Sequence, residues 1–304
     1  WAIGTKRLGG AEGTWRDAED GILGRNAISQ GSVDATAGFS LPLLPNGSAS
    51  LTLWIACGSS YDQVKAQNRR ILAQGPNAMV ARCDAYWRLW SRKEGLDTSA
   101  LPAPIRDLYT RSQLVMRTQI DNRGAILAAN DSDVTAFGGD HYSYCWTRDG
   151  ALVAYALILA GHNELSGNFF RFAARIIDSD GYFLHKYSPA GQLASSWHPW
   201  MLDGQRILPI QEDETALVVW ALRKHFETFR TVEFIKEFYE PLVIRPAEWM
   251  LSYRDDNGLP LQSWDLWEER RGVHTFTVAT VIGGLRAAAA FAEDFGELDR
   301  AARY

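Results

Sequence analysis

Residues 263–270, with the sequence SWDLWEER, bring three carboxylates and two indoles into six positions. The face of an indole stacks on the apolar C–H face of a sugar ring, and carboxylates bind sugar hydroxyls or protonate a glycosidic oxygen. Poor solvation beside aromatic rings would raise the pKa of such an acid and keep it protonated. The alternative is the Trp-rich start of a helix with solvated acids, and the stretch alone does not decide between them.

Two further clusters have the same character. In residues 140–149 (DHYSYCWTRD), Arg148 beside Asp149 offers a donor fork next to an acceptor, which suits paired hydroxyls. Asp149 could equally cap a helix and pair with Arg148. Residues 211–215 (QEDET) place three acids in a first helical turn, where the macrodipole alone would explain them. Residues 195–200 (SSWHPW) add two more indoles ahead of that turn.

The elements that must position these clusters are helices. Apolar residues recur at helical spacing in six segments, and Pro241 and Pro246 must kink or split the fifth. The predicted helices are residues 105–121, 148–161, 164–178, 213–229, 231–253 and 274–294.

Short and long connections alternate between these helices. Residues 161–163 and 230–231 are tight turns, whereas residues 122–147, 179–212 and 254–273 are long loops. In an up-down array of helices, all the long loops lie at one end. The three clusters fall in or directly beside these loops, so together they favour a saccharide cleft over three independent structural explanations.

The beginning of the chain has a different pattern. Residues 1–58 read as β structure, with partial alternation over residues 49–55, and have too few strands for a complete sandwich. Residues 59–104 are expected to form a helical linker, broken near residues 75–77 and ending in a Pro-rich stretch. The remaining residues, 105–304, form the helical array.

Composition narrows the class of protein. Of 304 residues, 46% are hydrophobic and 22% are charged, as in soluble globular proteins. With a net charge of −5 and no basic patch, we expect no nucleic-acid partner. We also expect no membrane span, because no apolar run reaches the roughly 18 residues that one needs. Cys57, Cys83 and Cys145 fit no metal spacing or disulfide framework, which predicts buried free thiols.

Residues 142–149 (YSYCWTRD), 211–216 (QEDETA) and 264–269 (WDLWEE) resemble, in order and spacing, the motifs of glycoside hydrolase family 15, the glucoamylase family. The likeness is closest to its prokaryotic branch, which includes glucodextranases and trehalases. It implies a mainly α fold: an (α/α)6 toroid barrel, represented by about six of its twelve helices, after part of an N-terminal β-sandwich and a helical linker. It also implies an inverting exo-hydrolase that releases glucose from non-reducing ends of α-glucans.

The resemblance implies a role for each matching residue. Glu268 resembles the general acid, and Asp265 the residue that supports its loop. Arg148 and Asp149 resemble the pair that holds the hydroxyls of the terminal glucose. The remaining residues resemble pocket walls (Tyr142, Trp146, Trp267), a hydroxyl ligand (Glu269) and weaker supporting positions (Gln211, Asp213). No cofactor and no metal are implied. Residues 207–210 (ILPI) stand where fungal members have a Trp, a departure from the family pattern.

Inversion also needs a carboxylate that activates water, roughly 6.5–9.5 Å from the acid. The resemblance implies that this base lies late in the barrel, and no carboxylate after Glu269 falls in a long loop. We therefore expect the base to lie outside these 304 residues and the chain to be a piece of a longer protein. A missing segment or a second chain would complete the barrel, and the piece alone would be nearly inactive.

Alternatives stay open. Within the family, the protein could be a trehalase or a glucodextranase acting on a glucose disaccharide or another α-glucan. If it is not an enzyme, it could be a non-catalytic glucoamylase-like module with a regulatory or sugar-binding role. Localisation is open, with a prokaryotic cytoplasm slightly favoured because no signal-like apolar region is visible.

Overall fold

Helices form about half of the described chain, and the strands are a few short pairs. A computed structural model describes residues 1–5, 13–31, 33–130 and 142–304. These residues separate into two units, Trp1–Arg82 and Cys83–Tyr304. Asp140 and His141 of the first cluster lie outside the described residues. The predicted boundaries after residues 58 and 104 stay predictions.

The first unit contains a small antiparallel sheet. Strands β1 (Ala2–Thr5) and β2 (Val33–Thr36) pair with Ala2 opposite Thr36. The short helix α1 (Thr14–Asp17) is fastened to the sheet because the backbone N–H of Thr14 donates to the carboxylate of Asp34, at 3.1 and 2.9 Å from its two oxygens. Within the described part of this unit, β1 and β2 are the two strands present.

The predicted strand over residues 49–55 is wrong. This segment has no strand geometry, and Leu53 and Ile55 are 70% and 82% exposed. Alternation produces a strand only where a neighbour takes up the backbone hydrogen bonds, and no described residue pairs with this segment. The β-sandwich therefore stays a prediction.

The linker helix is broken where the sequence predicts. Helix α2 (Tyr61–Gln74) begins at Ser60, whose hydroxyl accepts the backbone N–H of Gln63 at 3.3 Å. It ends at Gly75, which has φ +83°, a conformation that glycine adopts without steric cost. Helix α3 (Pro76–Trp90) starts directly afterwards with Pro in its first turn.

All six predicted helices of the second part are present, with ends within a few residues of the predicted ones. The fifth is divided into two helices, and a short helix α11 (Leu298–Arg303) follows the sixth. The observed helices are α4 (Ala103–Thr118), α5 (Thr147–Leu159), α6 (Asn163–Ile176), α7 (Glu212–Phe229), α8 (Val232–Phe238), α9 (Arg245–Ser252) and α10 (Thr275–Asp294).

The two prolines explain the division of the fifth helix. Pro241 has no N–H for the hydrogen bond of an α-helix, and a π-helical stretch, Tyr239–Ile244, contains it. Pro246 falls in the first turn of α9, where its missing N–H is not needed. The prediction of a kink or split at these residues is confirmed.

Helix α7 is at the centre of the core and packs between α5 and α10. Its buried residues run from Glu212 to Phe226. The packing against α10 is close because Gly284 lies against the backbone of Ala216, where an added Cβ would be 2.9 Å from the carbonyl oxygen. The acidic first turn of α7 is therefore held at a fixed depth in the protein.

Helix α10 bears on the expectation that no segment spans a membrane. By length and composition it is long and apolar enough to cross a membrane, although no such segment was expected. Buried residues such as Ala288, Phe291 and Ala292 belong to the core, and the helix packs on α7. A core helix passes the same test of length and composition.

The prediction of buried free thiols holds for Cys145 alone, since Cys57 and Cys83 are exposed free thiols.

The three long loops contact one another, as predicted. The turns at residues 160–162 and 230–231 are short, also as predicted. Cys145 of the first loop and Tyr187 of the second exchange backbone hydrogen bonds of 2.8 and 2.9 Å. The N–H of Trp264 in the third loop donates to the carbonyl of Ile210 in the second, at 3.2 Å. The second loop carries the hairpin β3 (Met201–Leu202) with β4 (Gln205–Arg206), and the third carries β5 (Ser263–Trp264) with β6 (Arg271–Gly272).

Candidate active site

Glu268 lies in the turn between β5 and β6. Its backbone N–H donates to the carbonyl of Asp265 at 2.9 Å. The Asp265 side chain accepts the N–H groups of Glu269 at 2.9 Å and Arg270 at 3.2 Å. Glu268 itself has φ +65°, a left-handed conformation that costs a non-glycine residue about 1–3 kcal/mol. The turn therefore holds the Glu268 side chain in a direction that a relaxed backbone would not give it.

Both carboxylate oxygens of Glu268 face N–H groups from other loops. The indole Nε1 of Trp146 donates to Oε1 at 2.8 Å. The imidazole Nε2 of His185 lies 3.0 Å from Oε2, close enough for an N–H at this position to interact with the carboxylate. The Glu268 side chain is 13% exposed, and His185 is fully buried. This carboxyl group is thus positioned by residues distant in sequence.

The pKa of Glu268 differs from the expectation. Burial raises it, but the contact with His185, the positive charge that His185 and His198 can carry, and the Trp146 hydrogen bond together lower it below its usual value. The predicted rise from aromatic neighbours alone is wrong for the protein without substrate. N–H groups directed at a carboxylate stabilise its ionised form more than the apolar surroundings destabilise it.

A buried bridge joins the acid's turn to the Arg148–Asp149 pair. Arg148 Nη1 donates to Oε1 of Gln211 at 2.8 Å, and the Gln211 amide donates to the carbonyl of Asp265. Arg148 Nη2 lies 3.2 Å from Oδ2 of Asp149, whose side chain is about half exposed. Gln211, which begins the second cluster, therefore connects the first cluster with the third. Asp149 is left accessible at the end of the bridge.

The three acids that begin α7 are buried rather than solvated. Glu212, Asp213 and Glu214 are each 0% exposed. Burial raises the pKa of Glu212 to about 8 and that of Asp213 to about 6, and it raises the pKa of Glu214 well above its usual value. Asp213 lies 3.6 Å from Arg148, and Glu214 accepts the hydroxyl of Thr147 at 2.9 Å. This turn is therefore not an exposed helix start in which the acids are explained by the helix dipole alone.

Aromatic rings line one side of Glu268. The ring of Tyr142 stacks on that of Trp146 at 5.8 Å and contacts Trp197 edge-on at 5.6 Å. Trp146 and Trp197 are 5.5 Å apart, and the buried Lys186 places its Nζ 3.7 Å from the centre of the Trp197 ring. Trp197 and His185 were not among the predicted site residues. For Trp197, the Trp-rich stretch 195–200 was a signal, whereas an isolated His185 gave none.

Two predicted residues stand apart from this group. Trp267 is 76% exposed and makes no ring stacking with the other described aromatic residues. The Glu269 side chain is exposed, although its backbone N–H is held by Asp265. Both flank Glu268 in its turn, so a bound ligand could reach them from solvent. Their predicted contacts with a sugar stay predictions.

Glu268, His185 and His198 present possible metal-ligand atoms within 4.8 Å of one another. However, Nδ1 of His185 faces the backbone N–H of Trp197 at 3.3 Å, and this group can only donate. The hydrogen of a neutral His185 is then on Nε2, which leaves no lone pair there for a metal. We therefore interpret this cluster as a support for the carboxylate.

The sequence matches known proteins over the helical part. Residues 103–304, more than half of the chain, match the family described as glycosyl hydrolases family 15. The chain belongs to glycosyl hydrolases family 15. Every predicted site residue falls within the matched part. The family 15 assignment confirms the resemblance seen in the three motifs.

Curated relatives agree with this family. An uncharacterised glycosyl hydrolase of Methanocaldococcus jannaschii is 26% identical over 196 residues, which is 64% of this chain and 28% of that protein. Glucoamylase 1 of Rhizopus oryzae is 24% identical over 207 residues, or 64% of this chain and 32% of that protein. The family 15 chain thus spans about a third of the length of these relatives.

Solved structures support the same fold. A bacterial glucoamylase in complex with acarbose has a TM-score of 0.58 at 20% identity, over 81% of this chain and 33% of that one. A single-residue variant of a glycosidase has a TM-score of 0.50 at 19% identity, over 69% of this chain and 57% of that one. The family 15 chain has the mainly helical (α/α)6 architecture, of which it contains a part.

Proposed function

We propose that the protein is an exo-acting α-glucoside hydrolase that releases glucose from non-reducing ends of α-glucans, with inversion and with Glu268 as the general acid. Family membership supports hydrolysis of a glycosidic bond. So do two similar proteins, the Rhizopus oryzae Glucoamylase 1 and the bacterial glucoamylase complexed with acarbose. We propose that this protein acts on the same class of substrate, α-glucans.

The observation that carries the proposal is the way the Glu268 carboxyl is held. A general acid needs a carboxyl group fixed at one place beside the glycosidic oxygen. Glu268 has a left-handed backbone, a 2.8 Å hydrogen bond from Trp146 and a second N–H contact from His185. In the proposed step, Glu268 gives its proton to the leaving oxygen as the bond to the glucose carbon breaks. A water molecule bonds to that carbon from the opposite face and gives its proton to the predicted second carboxylate.

The pocket for the terminal glucose is proposed to adjoin this acid. Asp149, about half exposed beside Arg148, is suited to accept hydrogen bonds from sugar hydroxyls. Tyr142 and Trp146 offer ring faces against the apolar face of the sugar. In this proposal, Gln211 and Asp265 keep the hydroxyl-binding pair and the acid at a constant separation. Asp213 assists through its approach to Arg148.

Glu268→Gln tests this function in the whole protein. Initial rates of glucose release from maltotriose and soluble starch should fall about 10²–10⁴-fold, as expected for loss of a general acid. Glu293→Gln, at an exposed position of α10, is the matched control and should keep the wild-type rate. Unchanged glucose release by Glu268→Gln would contradict the assignment of the acid.

The same assay separates the alternatives. Substrate choice among maltotriose, isomaltotriose and trehalose distinguishes a glucoamylase from a glucodextranase or a trehalase. Binding of these sugars with no hydrolysis by the wild-type protein would instead indicate a non-catalytic sugar-binding module. Faster cleavage of maltotriose than of the other two is the expected result.

The location of the water-activating carboxylate stays a prediction. If it lies outside these 304 residues, the isolated chain should release glucose at least about 10³-fold more slowly than the whole protein, because one half of an acid–base pair is missing. Glucose release by the isolated chain at the rate of the whole protein would contradict this prediction.

A further inference from the structure

Two histidines lie beside Glu268 and are not among the site residues that the sequence predicts. His185 is fully buried, and its ring lies 4.5 Å from that of His198. His198 in turn stacks on Trp264, 4.4 Å away with nearly parallel rings. Trp264 is in strand β5, which leads into the turn that carries the acid. The two imidazoles therefore lie in the second long loop, and His198 packs against the third.

The contacts of Nδ1 determine which nitrogen of His185 carries hydrogen. The backbone N–H of Trp197 points at Nδ1 from 3.3 Å, and the hydroxyl of Ser196 lies 3.2 Å from the same atom. The Ser196 oxygen already accepts the backbone N–H of His198 at 3.0 Å, so its own hydrogen is available to Nδ1. With donors at Nδ1, the hydrogen of the neutral imidazole is on Nε2, which faces Glu268.

The two oxygens of Glu268 have different partners. Oε2 faces His185 Nε2 at 3.0 Å and is closed off from solvent. Oε1 faces the edge of Trp146. A glycosidic oxygen can therefore approach the carboxyl only at Oε1.

We propose that His185 is a positioning residue for the general acid: its Nε2–H holds Oε2 of Glu268, so that Oε1 is the oxygen that carries and donates the proton. The inference rests on the proposed function of Glu268 as an acid. No proton moves to or from His185 in this step. His185 acts as a donor through Nε2–H, because the contacts of Ser196 and Trp197 with Nδ1 favour a hydrogen on Nε2.

The charged and titratable groups around the carboxyl fit this role. His185 and His198 face it from the second loop, and Arg148 faces it from the start of α5. The charges of Asp265 and Lys186 act on His198. Burial lowers the pKa of His198 to about 4, so His198 is neutral above that pH. The N–H of His185 is then the nearest group on the Oε2 side that favours the ionised carboxylate.

The sign of the pH effect follows from this contact. A donor aimed at a carboxylate stabilises the ionised form and lowers its pKa. Removing the donor raises the pKa of Glu268, and the acid then stays protonated to higher pH. The alkaline limb of kcat/KM, which reports loss of the acid's proton, should move upwards.

Two amide variants separate the two nitrogens of His185. The amide of His185→Gln reaches the region of Nε2 and keeps a donor near Oε2 of Glu268. The side-chain oxygen of His185→Asn lies near the Nδ1 position, where it can accept from Trp197, but it leaves Glu268 without the donor. Each variant loses one polar contact, so a loss of folding alone would affect both alike.

The first measurement is the Glu268 carboxyl titration, followed by ¹³C NMR in the protein without substrate. His185→Asn should raise the apparent pKa of Glu268 by about one pH unit, and His185→Gln should keep it within about 0.3 unit of wild type. Equal pKa values of Glu268 in wild type and His185→Asn would overturn the inference. Because no substrate is present, this result is independent of the Glu268→Gln hydrolysis assay.

The second measurement is the pH profile of glucose release by the whole protein. His185→Asn should lower kcat about tenfold at the optimum and move the alkaline limb of kcat/KM upwards by about one unit, whereas His185→Gln should restore both. Equal losses of kcat in the two variants, with the limb unmoved, would indicate a merely structural role and overturn the proposal.

Discussion

Glu212→Gln tests the unusual burial of the first turn of α7. Glu212 is 0% exposed, and neither of its carboxylate oxygens has a hydrogen-bond partner among the described residues. Burial, followed by the nearby charge of Asp213, raises its pKa from 4.5 to about 8. Glutamine has nearly the same shape and carries no charge at any pH. The substitution therefore removes the titration and leaves the packing nearly unchanged.

The pKa values determine the magnitude and the sign. Between pH 4.5 and pH 8, the folded protein keeps a proton on Glu212 that the unfolded chain has released. The free energy of unfolding of the wild type therefore falls as pH rises through this range. At about 1.36 kcal/mol per pH unit, the loss is ~3 kcal/mol by pH 7 and ~5 kcal/mol above pH 8. Glu212→Gln does not incur this loss.

The assay is urea unfolding of wild type and variant at several pH values between about 4.5 and 8. Relative to wild type, the free energy of unfolding of Glu212→Gln should rise by ~3 kcal/mol from about pH 4.5 to pH 7. Any constant cost of burying the amide cancels in this comparison. Glu293→Gln, at an exposed site, should show no such pH dependence. A difference between variant and wild type that is the same at both pH values would refute the reasoning.

Two further predictions concern backbone geometry. Asp265→Ala removes the acceptor of two N–H groups in the acid's turn, so we expect up to ~2 kcal/mol of lost stability and at least a tenfold fall in kcat/KM. Asp265→Asn, which keeps an oxygen, should lose less in both urea unfolding and glucose release; equal values for the two variants would contradict this. Arg230 ends α7 at φ +53°, so Arg230→Gly should raise the free energy of unfolding by ~1 kcal/mol. Arg230→Ala, which keeps the strained backbone, should show no gain by thermal unfolding, and a gain equal to that of glycine would count against the strain argument.

The helices were predictable because their signals are local. Apolar spacing located α4 to α10 to within a few residues, and Pro241 and Pro246 marked the division of the fifth helix. Alternating loop lengths were enough to bring three distant motifs to one end. Residues 49–55 failed because alternation is also local, whereas a strand needs a partner that this pattern does not specify.

The sequence predicted which residues form most of the site, but it did not predict the pKa values of the site's acids. Glu268, Arg148 and Gln211 belong to motifs that the sequence displays directly. The pKa of Glu268 depends on Trp146, which is 122 positions away, and on His185, which has no motif of its own. The acids of α7 resembled a solvated helix start because the sequence does not show that other elements cover them. Burial by distant elements is the part that local patterns leave out.

The most direct test of the central claim is the dependence of Glu268→Gln on the leaving group. A sugar leaving group needs a proton, whereas a nitrophenolate departs as a stable anion. For the whole protein, Glu268→Gln should lower kcat/KM on maltose by about 10²–10⁴-fold and on 4-nitrophenyl α-glucoside by less than about tenfold. Equal losses on the two substrates, or no loss on maltose, would contradict the assignment of Glu268 as the acid.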